Sequence, residues 1–322
     1  MNKDYIEQPK VDIQSNPKTK KAKPKFKINK TSLFIVLMLA YPLFHFFLMW
    51  FGVNINSILL TFQRVSENGS ELVWVSIEDP FINYKNIIAE FKDPIMADMY
   101  KASFVYLILN CFITLPISLF FAYFIFKKVY AAGVFKTIFY LPSVLPIVAL
   151  TTVYLTSFSA NGFMSELLKV FGVDNITFFD NQHAKWMVWI FCFWTGIGYD
   201  VMLLTAAMSK IPRELLESAK MDGISPLKEF FHIVIPLSWP TLTTLFIFGM
   251  MGVTGTYLQP MLLVGNSPEK FTNTIGLIIF QEATNVTKNH PATIGLICTL
   301  IGTPIVLCTR AFLNSFFKEA SV

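Results

Sequence analysis

Charge is scarce in this chain, and the shortage limits what kind of protein it can be. Only 15% of the 322 residues are Asp, Glu, Lys or Arg, whereas 54% are hydrophobic. A soluble domain of this length carries about a quarter charged residues. The mean hydropathy of +0.53 is correspondingly high. The composition therefore excludes an ordinary soluble protein and indicates that most residues meet lipid.

Signatures of catalytic and metal chemistry are also missing. The sequence contains no GxxxxGKS/T phosphate loop and no HExxH or comparable metal motif. The four histidines show no ligand spacing, and the four cysteines lie in apolar stretches without CxxC spacing. We interpret Cys111, Cys192, Cys298 and Cys308 as small buried hydrophobes. We expect no catalytic residue, no metal, no cofactor and no ATP hydrolysis in this chain.

Lysine is concentrated at one end of the sequence. Nine of the first 30 residues are lysine, and the formal net charge is +5. The other basic residues are not spread over a soluble face, so this charge does not indicate nucleic-acid binding. We predict that residues 1–30 form a disordered basic tail on the cytoplasmic side. Contact of this tail with anionic lipid or with a partner is the alternative.

The sequence is poor in charge but contains long apolar runs. A membrane-spanning helix needs about 20 mostly apolar residues. Six runs qualify, at approximately residues 33–53, 104–126, 138–158, 186–208, 237–257 and 294–313. Residues 275–280 are too short to span, so we expect them to dip into the membrane or to lie on its outer surface. The sequence predicts an all-α membrane protein, with a transmembrane domain at 31–318 and a C-terminal end at 319–322.

The distribution of Lys and Arg predicts the orientation of the spans. The N-terminal tail, the turn 127–136, the loop 209–235 and the C-terminal tail together hold 18 basic residues, whereas the alternate loops hold seven. Basic residues collect on the cytoplasmic side of membrane proteins. Both termini are therefore predicted to be cytoplasmic.

The first outer loop, residues 54–98, has a character of its own. It carries seven acidic residues and an Asn68-Gly69 pair between the apolar runs 58–62 and 72–77. Asn-Gly between β-prone runs is a hairpin signal. We predict a small outer hairpin, followed by a short helix near residues 84–91.

The inner loop 209–235 has the pattern of two short helices separated by glycine. Pro212 fits the first turn of the first helix, and Gly223 can end that helix in the left-handed conformation. Ser225 and Pro226 fit the N-cap and first position of a second helix, and Pro236 opens the fifth span.

The first of these helices is amphipathic. Leu215, Leu216 and Ala219 form an apolar side, and Glu217, Lys220 and Asp222 form a polar one. Such a helix can lie on the membrane surface or dock into a groove of another protein. Its shape alone does not choose between the two.

Motif spacing in this loop resembles the EAA motif of binding-protein-dependent ABC importer permeases. Glu217-Ser218-Ala219 precedes Gly223 by the interval of that motif, and nine residues later Ile233-Val234-Ile235-Pro236 closes it. The departures are Ser218 for Ala and Ile235 for Leu. Further patches are similar to sugar permeases of the maltose-transporter F-subunit type: Ile82-Asn83-Tyr84, Leu141-Pro142, Gly162 to Leu168, Trp194 with Gly196 and Gly198, residues 262–265 and residues 272–274.

This resemblance implies a fold, a set of partners and a mechanism. The fold is the type I ABC importer permease fold, in a bacterial cytoplasmic membrane. The implied partners are a second homologous permease, two cytoplasmic ATPase subunits that bind ATP-Mg, an extracytoplasmic solute-binding protein, a sugar or oligosaccharide, and membrane lipid. The loop 209–235 would couple ATPase closure to the transport pathway. The implied coupling residues are Leu215, Leu216, Glu217, Ala219, Asp222 and Gly223.

Polar and aromatic residues inside the spans are candidates for the substrate pathway. Asp200 lies in the fourth span, where an acid is costly and often functional. The aromatic rings of Tyr199 and Trp194 could stack on sugar rings. Hydrogen bonds could come from Asn110, Thr114, Tyr257 and Gln259. Each of these residues could equally pair with a neighbouring helix or with the partner permease.

Three other functions remain open on the sequence. The same machinery could carry a peptide or an amino acid, because the motif loop does not specify the solute. A membrane-embedded enzyme is disfavoured because no paired acids or His cluster share one membrane depth. A secondary transporter working alone is disfavoured because the two halves show no internal repeat.

Overall fold

A computed structural model of the chain describes residues 30–66, 68–69, 71–172, 177–180, 182–265, 272–283 and 287–317. The predicted tail at residues 1–29 and the end at 319–322 lie outside the described residues. The chain divides into two compact units, Met1–Asn54 and Ile55–Val322.

Helices dominate the described part of the chain. In order they are α1 (Lys30–His45), α2 (Gly52–Leu60), α3 (Ile82–Glu90), α4 (Pro94–Ile108), α5 (Leu115–Phe126), α6 (Ala132–Val144), α7 (Ile147–Ser157), α8 (Phe163–Val170), α9 (Ala184–Met208), α10 (Arg213–Met221), α11 (Pro226–Glu229), α12 (Ile235–Gly255), α13 (Leu258–Val264), α14 (Ile275–Glu282) and α15 (Asn289–Phe316). The strands are β1 (Gln63–Val65) and β2 (Leu72–Trp74). π-Helical turns at Phe46–Phe51, Leu109–Thr114 and Phe230–Val234 join α1 to α2, α4 to α5 and α11 to α12.

Among the described residues, the long apolar helices match the predicted spans in number. Five helices are long and apolar enough to cross a membrane: Lys30–Leu60, Met96–Phe126, Ala184–Met208, Pro226–Gly255 and Asn289–Phe316. The bent pair α6 and α7 is the sixth candidate. The helices extend past the apolar runs at their ends, since backbone hydrogen bonding continues into the flanking polar residues.

The third predicted span, residues 138–158, is not a single straight helix. α6 and α7 meet at an angle of 108°. Leu145 is extended (φ −79°, ψ 146°), because a residue before proline is pushed out of the helical region. Pro146 itself has no N–H to donate to the preceding turn. The chain therefore turns here, and its two halves pack on different neighbours.

Helix α9 is the axis of the second unit, and α5, α6, α12 and α13 pack against it. Its first half joins one apolar cluster through Val188 and Phe191, which are fully buried. Its second half joins another through Val201 and Leu204, also fully buried. The near-continuous apolar sequence of α9 is explained by this burial on several sides.

The outer loop forms the predicted hairpin, with its first strand displaced. β1 and β2 pair antiparallel with Gln63 opposite Trp74. The run 58–62 was predicted as a strand, but its first three residues complete α2, and pairing begins at Gln63. The predicted short helix is confirmed as α3. The Asn83 side-chain amide donates to the carbonyls of Thr61 and Gln63, both at 2.7 Å, and so fixes α3 against the hairpin.

The short apolar stretch at 275–280 is the core of α14. This helix packs against α4, α12 and α15, and Leu277 is fully buried. The Thr274 hydroxyl caps its start by accepting from the Leu277 N–H at 3.2 Å. Its first apolar residues are covered by other helices, whereas Phe280 at its end is exposed.

Glycine permits a close contact between α6 and α9. A Cβ built at Gly198 of α9 would lie 2.0 Å from the carbonyl oxygen of Phe139 on α6. Only a residue without a side chain allows this approach, as in other small-residue contacts between membrane helices.

Replacing Gly198 with Ala should therefore separate α9 from α6. We expect a loss of about 1–3 kcal/mol of stability from the overpacked contact, seen as a lower apparent unfolding midpoint in detergent. Gly295→Ala on α15 is the control, since nothing lies within 4 Å of its Cβ position. Equal midpoints for the two variants would contradict the close-contact assignment.

Candidate functional site

The inner loop forms the predicted helix–glycine–helix shape. α10 starts after Pro212, which is the N-cap rather than a first-turn residue. Gly223 adopts the left-handed conformation (φ +72°) that ends the helix. The Ile224 N–H then donates to the Ala219 carbonyl at 3.1 Å, which closes the helix end.

The second helix of this loop is not separate from the fifth span. Ser225 is its N-cap, with its hydroxyl 3.5 Å from the Lys228 N–H, and Pro226 occupies the first turn, both as predicted. However, α11 continues through the π-helical turn at Phe230–Val234 into α12 without a break. Any displacement at Ser225 therefore acts on one continuous helix.

The apolar side of α10 is divided between the interior and the surface. Ala219 is only 5% exposed, and Leu216 packs against the buried cluster around α9. Leu215, Glu217, Asp222 and Gly223 are exposed. The predicted ridge of Leu215, Leu216 and Ala219 is therefore not exposed as a whole, because this chain itself covers Ala219. The exposed part of the loop carries both acidic and basic side chains beside Leu215.

An ion pair between a buried carboxylate and a partly exposed lysine anchors this loop, and sequence reasoning missed it. The Lys127 ammonium lies 2.8 and 2.9 Å from the two carboxylate oxygens of Glu229. The Glu229 side chain is 7% exposed and that of Lys127 is 34% exposed. One signal was available: a carboxylate directly before Phe230 and Phe231 needs a charged partner, since burying an unpaired charge is costly.

The polar candidates of the second span lie where three helices meet. Asn110 and Thr114 are on the π-helical turn at Leu109–Thr114. Asn110 sits against Gly252 of α12, whose Cβ position is 2.7 Å from the Asn110 side-chain nitrogen. Thr114 faces Gly196 of α9, with its methyl carbon 3.7 Å from the Cβ position. The structure therefore brings these two predicted residues together with two glycines.

Thr114 is unusual within this group. It is 2% exposed, and its buried hydroxyl has no hydrogen-bond partner among the described residues. A buried polar atom without a partner costs about 1–3 kcal/mol.

The three predicted residues of α9 do not share one face. Asp200 is half-buried and lies one helical turn after Gly196, so it projects toward the second span. Trp194 and Tyr199 are exposed, and Trp194 contacts Phe191 edge-on at 6.0 Å. Asp200 thus belongs with Asn110 and Thr114, whereas the two aromatic rings point elsewhere.

The last two predicted residues lie beyond the end of α12. Tyr257 stacks on Phe280 of α14, with ring centroids 4.8 Å apart. Gln259 is in the first turn of α13 and is half-buried. Other polar groups in the described part of the chain include the Tyr106 hydroxyl and the Trp189 indole N–H. Both are buried without a partner among the described residues.

Metal chemistry finds no support in the part of the chain that the structure describes. Within the described ranges, no group of three or more His, Cys, Asp or Glu side chains could hold a metal ion.

Comparison with known proteins places the chain in a family. A family model described as "Binding-protein-dependent transport system inner membrane component" matches residues 99–320. The probable ABC transporter permease protein YurN of Bacillus subtilis (strain 168) is 26% identical over 295 residues, which cover 89% of this chain and 95% of YurN. The arabinooligosaccharides transport system permease protein AraP of Halalkalibacterium halodurans is 23% identical over 282 residues, 85% of each chain.

A solved structure confirms the predicted fold. The chain matches, with a TM-score of 0.75 and 19% identity, a chain of a bacterial alginate ABC transporter in complex with an alginate pentasaccharide-bound periplasmic protein. The match covers 90% of this chain and 96% of the other. Because the family model covers more than half of its residues, this chain belongs to the family of binding-protein-dependent transport system inner membrane components.

Proposed function

We propose that this chain, together with a second permease, forms the pathway through which an ABC importer takes up a sugar or oligosaccharide. AraP is named for arabinooligosaccharides, and the matched structure is that of an alginate transporter. Uptake is driven by two ATPase subunits on the cytoplasmic side, and an extracytoplasmic binding protein delivers the solute. Both termini of the chain are cytoplasmic in this arrangement.

The inner loop is the contact with the ATPase. The observation that carries this assignment is the division of α10: Ala219 is locked inside the permease, while Leu215 and Glu217 are exposed beside the left-handed Gly223. One face of α10 is fixed against the permease and the other is exposed to a partner. Such a helix can transmit force, whereas a helix that lies loosely on lipid cannot. Glu217 supplies the charged contact, and Asp222 and Gly223 set the turn.

The polar groups between α5, α9 and α12 form the solute pathway. Asn110, Thr114 and Asp200 present an amide, a hydroxyl and a carboxylate in an otherwise apolar interior. These are groups that hydrogen-bond sugar hydroxyls. Tyr257 and Gln259 lie farther along the chain, after α12, and Trp194 and Tyr199 offer exposed aromatic faces on α9.

Substitution in the inner loop should separate the permease from its ATPase. Glu217→Lys reverses the charge of the proposed contact, and Gly223→Pro removes the left-handed turn, because proline is confined to φ near −65°. We expect the ATPase to be lost from tagged, gently solubilised complexes, and uptake to fall by at least about tenfold, equivalent to about 1.4 kcal/mol.

Ser218→Ala is the matched control for this experiment, since Ser218 is exposed on the same helix and alanine restores the family motif. It should retain the ATPase and uptake. Retention of the ATPase by Gly223→Pro would refute the coupling assignment. If the unsubstituted chain is purified without an ATPase, the importer proposal fails, and a solitary transporter or an enzyme has to be considered again.

Substitution of Thr114 separates a solute contact from a structural role. Thr114→Val keeps the shape and removes a hydroxyl that has no partner in the described chain. We expect KM for transported oligosaccharide to rise about 2- to 12-fold, the value of one hydrogen bond of roughly 0.5–1.5 kcal/mol. The unfolding midpoint should not fall, because no internal hydrogen bond is lost.

The uptake assay uses labelled arabino-oligosaccharide and alginate oligosaccharide as probes, with a dipeptide to test the other solute class. Asp200→Asn should also reduce oligosaccharide uptake, and unchanged uptake would remove Asp200 from the pathway. Thr299→Val is the control for Thr114, because the Thr299 hydroxyl bonds within its own helix, to the Gly295 carbonyl at 2.8 Å.

A further inference from the structure

An ion pair joins the end of the second span to the start of the fifth span, Pro226–Gly255. Lys127 directly follows α5, and Glu229 is the last residue of α11, just before the π-helical turn. Their ion pair joins residues 102 positions apart in sequence. The carboxylate is buried and both of its oxygens face one ammonium, so the pair has few alternative geometries.

Tyr123 makes the same connection a second time. Its hydroxyl donates to the Pro226 carbonyl at 3.0 Å and lies 3.5 Å from a Glu229 carboxylate oxygen. Its ring contacts that of Phe230, with centroids 4.8 Å apart. The Lys127 ammonium also lies 5.9 Å from the centre of the Tyr123 ring. Three kinds of contact therefore converge on one turn of α11.

This junction lies directly behind the exposed coupling surface. Pro226 is three residues after Gly223, and Ser225 caps the helix that contains Glu229. A force on α10 is transmitted through Gly223 to the N-terminus of α11, which Ser225 caps. From there it can follow the continuous helix into α12, or cross the ion pair into α5.

The route through the ion pair into α5 leads to the candidate solute pathway. α5 continues backward through the π-helical turn that carries Asn110 and Thr114. Lys127 and Thr114 are 13 residues apart on this helix, about 20 Å at the rise of an α-helix. A helix is a rigid element over this length, so motion at Lys127 is felt at Thr114.

We propose that Lys127, Glu229 and Tyr123 form a strut that makes the second span move with the coupling loop. This inference rests on the proposed function and adds positioning residues to it. The strut requires opposite charges at 127 and 229 and the Tyr123 hydroxyl. It makes no contact with solute or nucleotide. Coupling through such an element must be demonstrated by a measured response, because proximity alone does not establish it.

The test measures whether the two segments move together in the complete transporter. Spin labels are placed at Met221, the last residue of α10, which is 89% exposed, and at Tyr130, which follows α5 and is 95% exposed. Cys298 and Cys308 are first replaced by serine. Continuous-wave and pulsed EPR then give the distance between the labels without nucleotide and after trapping with ATP and vanadate.

With the strut intact, the distance should be the same in both states. Lys127→Met and Glu229→Gln should each produce a shift between the states that exceeds the width of the parent distribution. Lys127→Arg keeps the charge and should behave as the parent does. The exchanged pair, Lys127→Glu with Glu229→Lys, should restore the parent distance. Lys128→Met is the matched control, as Lys128 is the adjacent, exposed lysine, and it should show no shift.

Loss of one partner of a buried ion pair can also prevent folding, so Tyr123→Phe provides a milder variant. It removes only the hydroxyl and leaves the ring on Phe230, and we expect a smaller shift in the same direction. Unchanged distances in Tyr123→Phe and in every assembled charge variant would overturn the strut while leaving the coupling loop intact. Absence of the ATPase from the parent complex would instead overturn the proposed function on which the strut depends.

Discussion

Satisfaction of backbone hydrogen bonds away from water is the constraint on which the rest of this structure depends. A chain that crosses lipid must pair its N–H and C=O groups within itself, so its spans are helices. Two departures from the α-helix lie where other helices can absorb them. The bend at Leu145 and Pro146 joins two helices that each pack on neighbours, and the buried turn at Leu109–Thr114 lies against α9 and α12.

Two of the three π-helical turns described coincide with residues to which function is assigned. The π-helical turn at Leu109–Thr114 carries Asn110 and Thr114, and that at Phe230–Val234 directly follows Glu229. Such turns are frequent at functional sites, because they rotate side chains out of the register of a regular helix. Here one turn directs polar groups toward glycines on two other helices. The other begins where the coupling loop becomes a span.

Close contact at glycine and an ion pair are two different ways in which these helices are held in position. Gly198 brings α9 and α6 into backbone contact, and Gly252 leaves room for the Asn110 amide. Both fix positions through close contact. The Lys127–Glu229 pair fixes a position through electrostatics instead, and the cost of removing its carboxylate from water offsets part of the attraction. Its value lies in joining two segments at a defined point.

The sequence by itself determined the number of spans, the loop motif and the family, because hydropathy and turn chemistry are local properties. The conformations of Gly223 and Ser225 followed from their residue types alone. The broken third span was missed, although Pro146 marked it, because hydropathy does not register helix direction. The burial of Ala219, the partner of Glu229 and the grouping of Asn110 and Thr114 with Asp200 were decided only by the tertiary structure. These are contacts between residues far apart in the chain, and periodicity along one helix does not specify which neighbour covers each face.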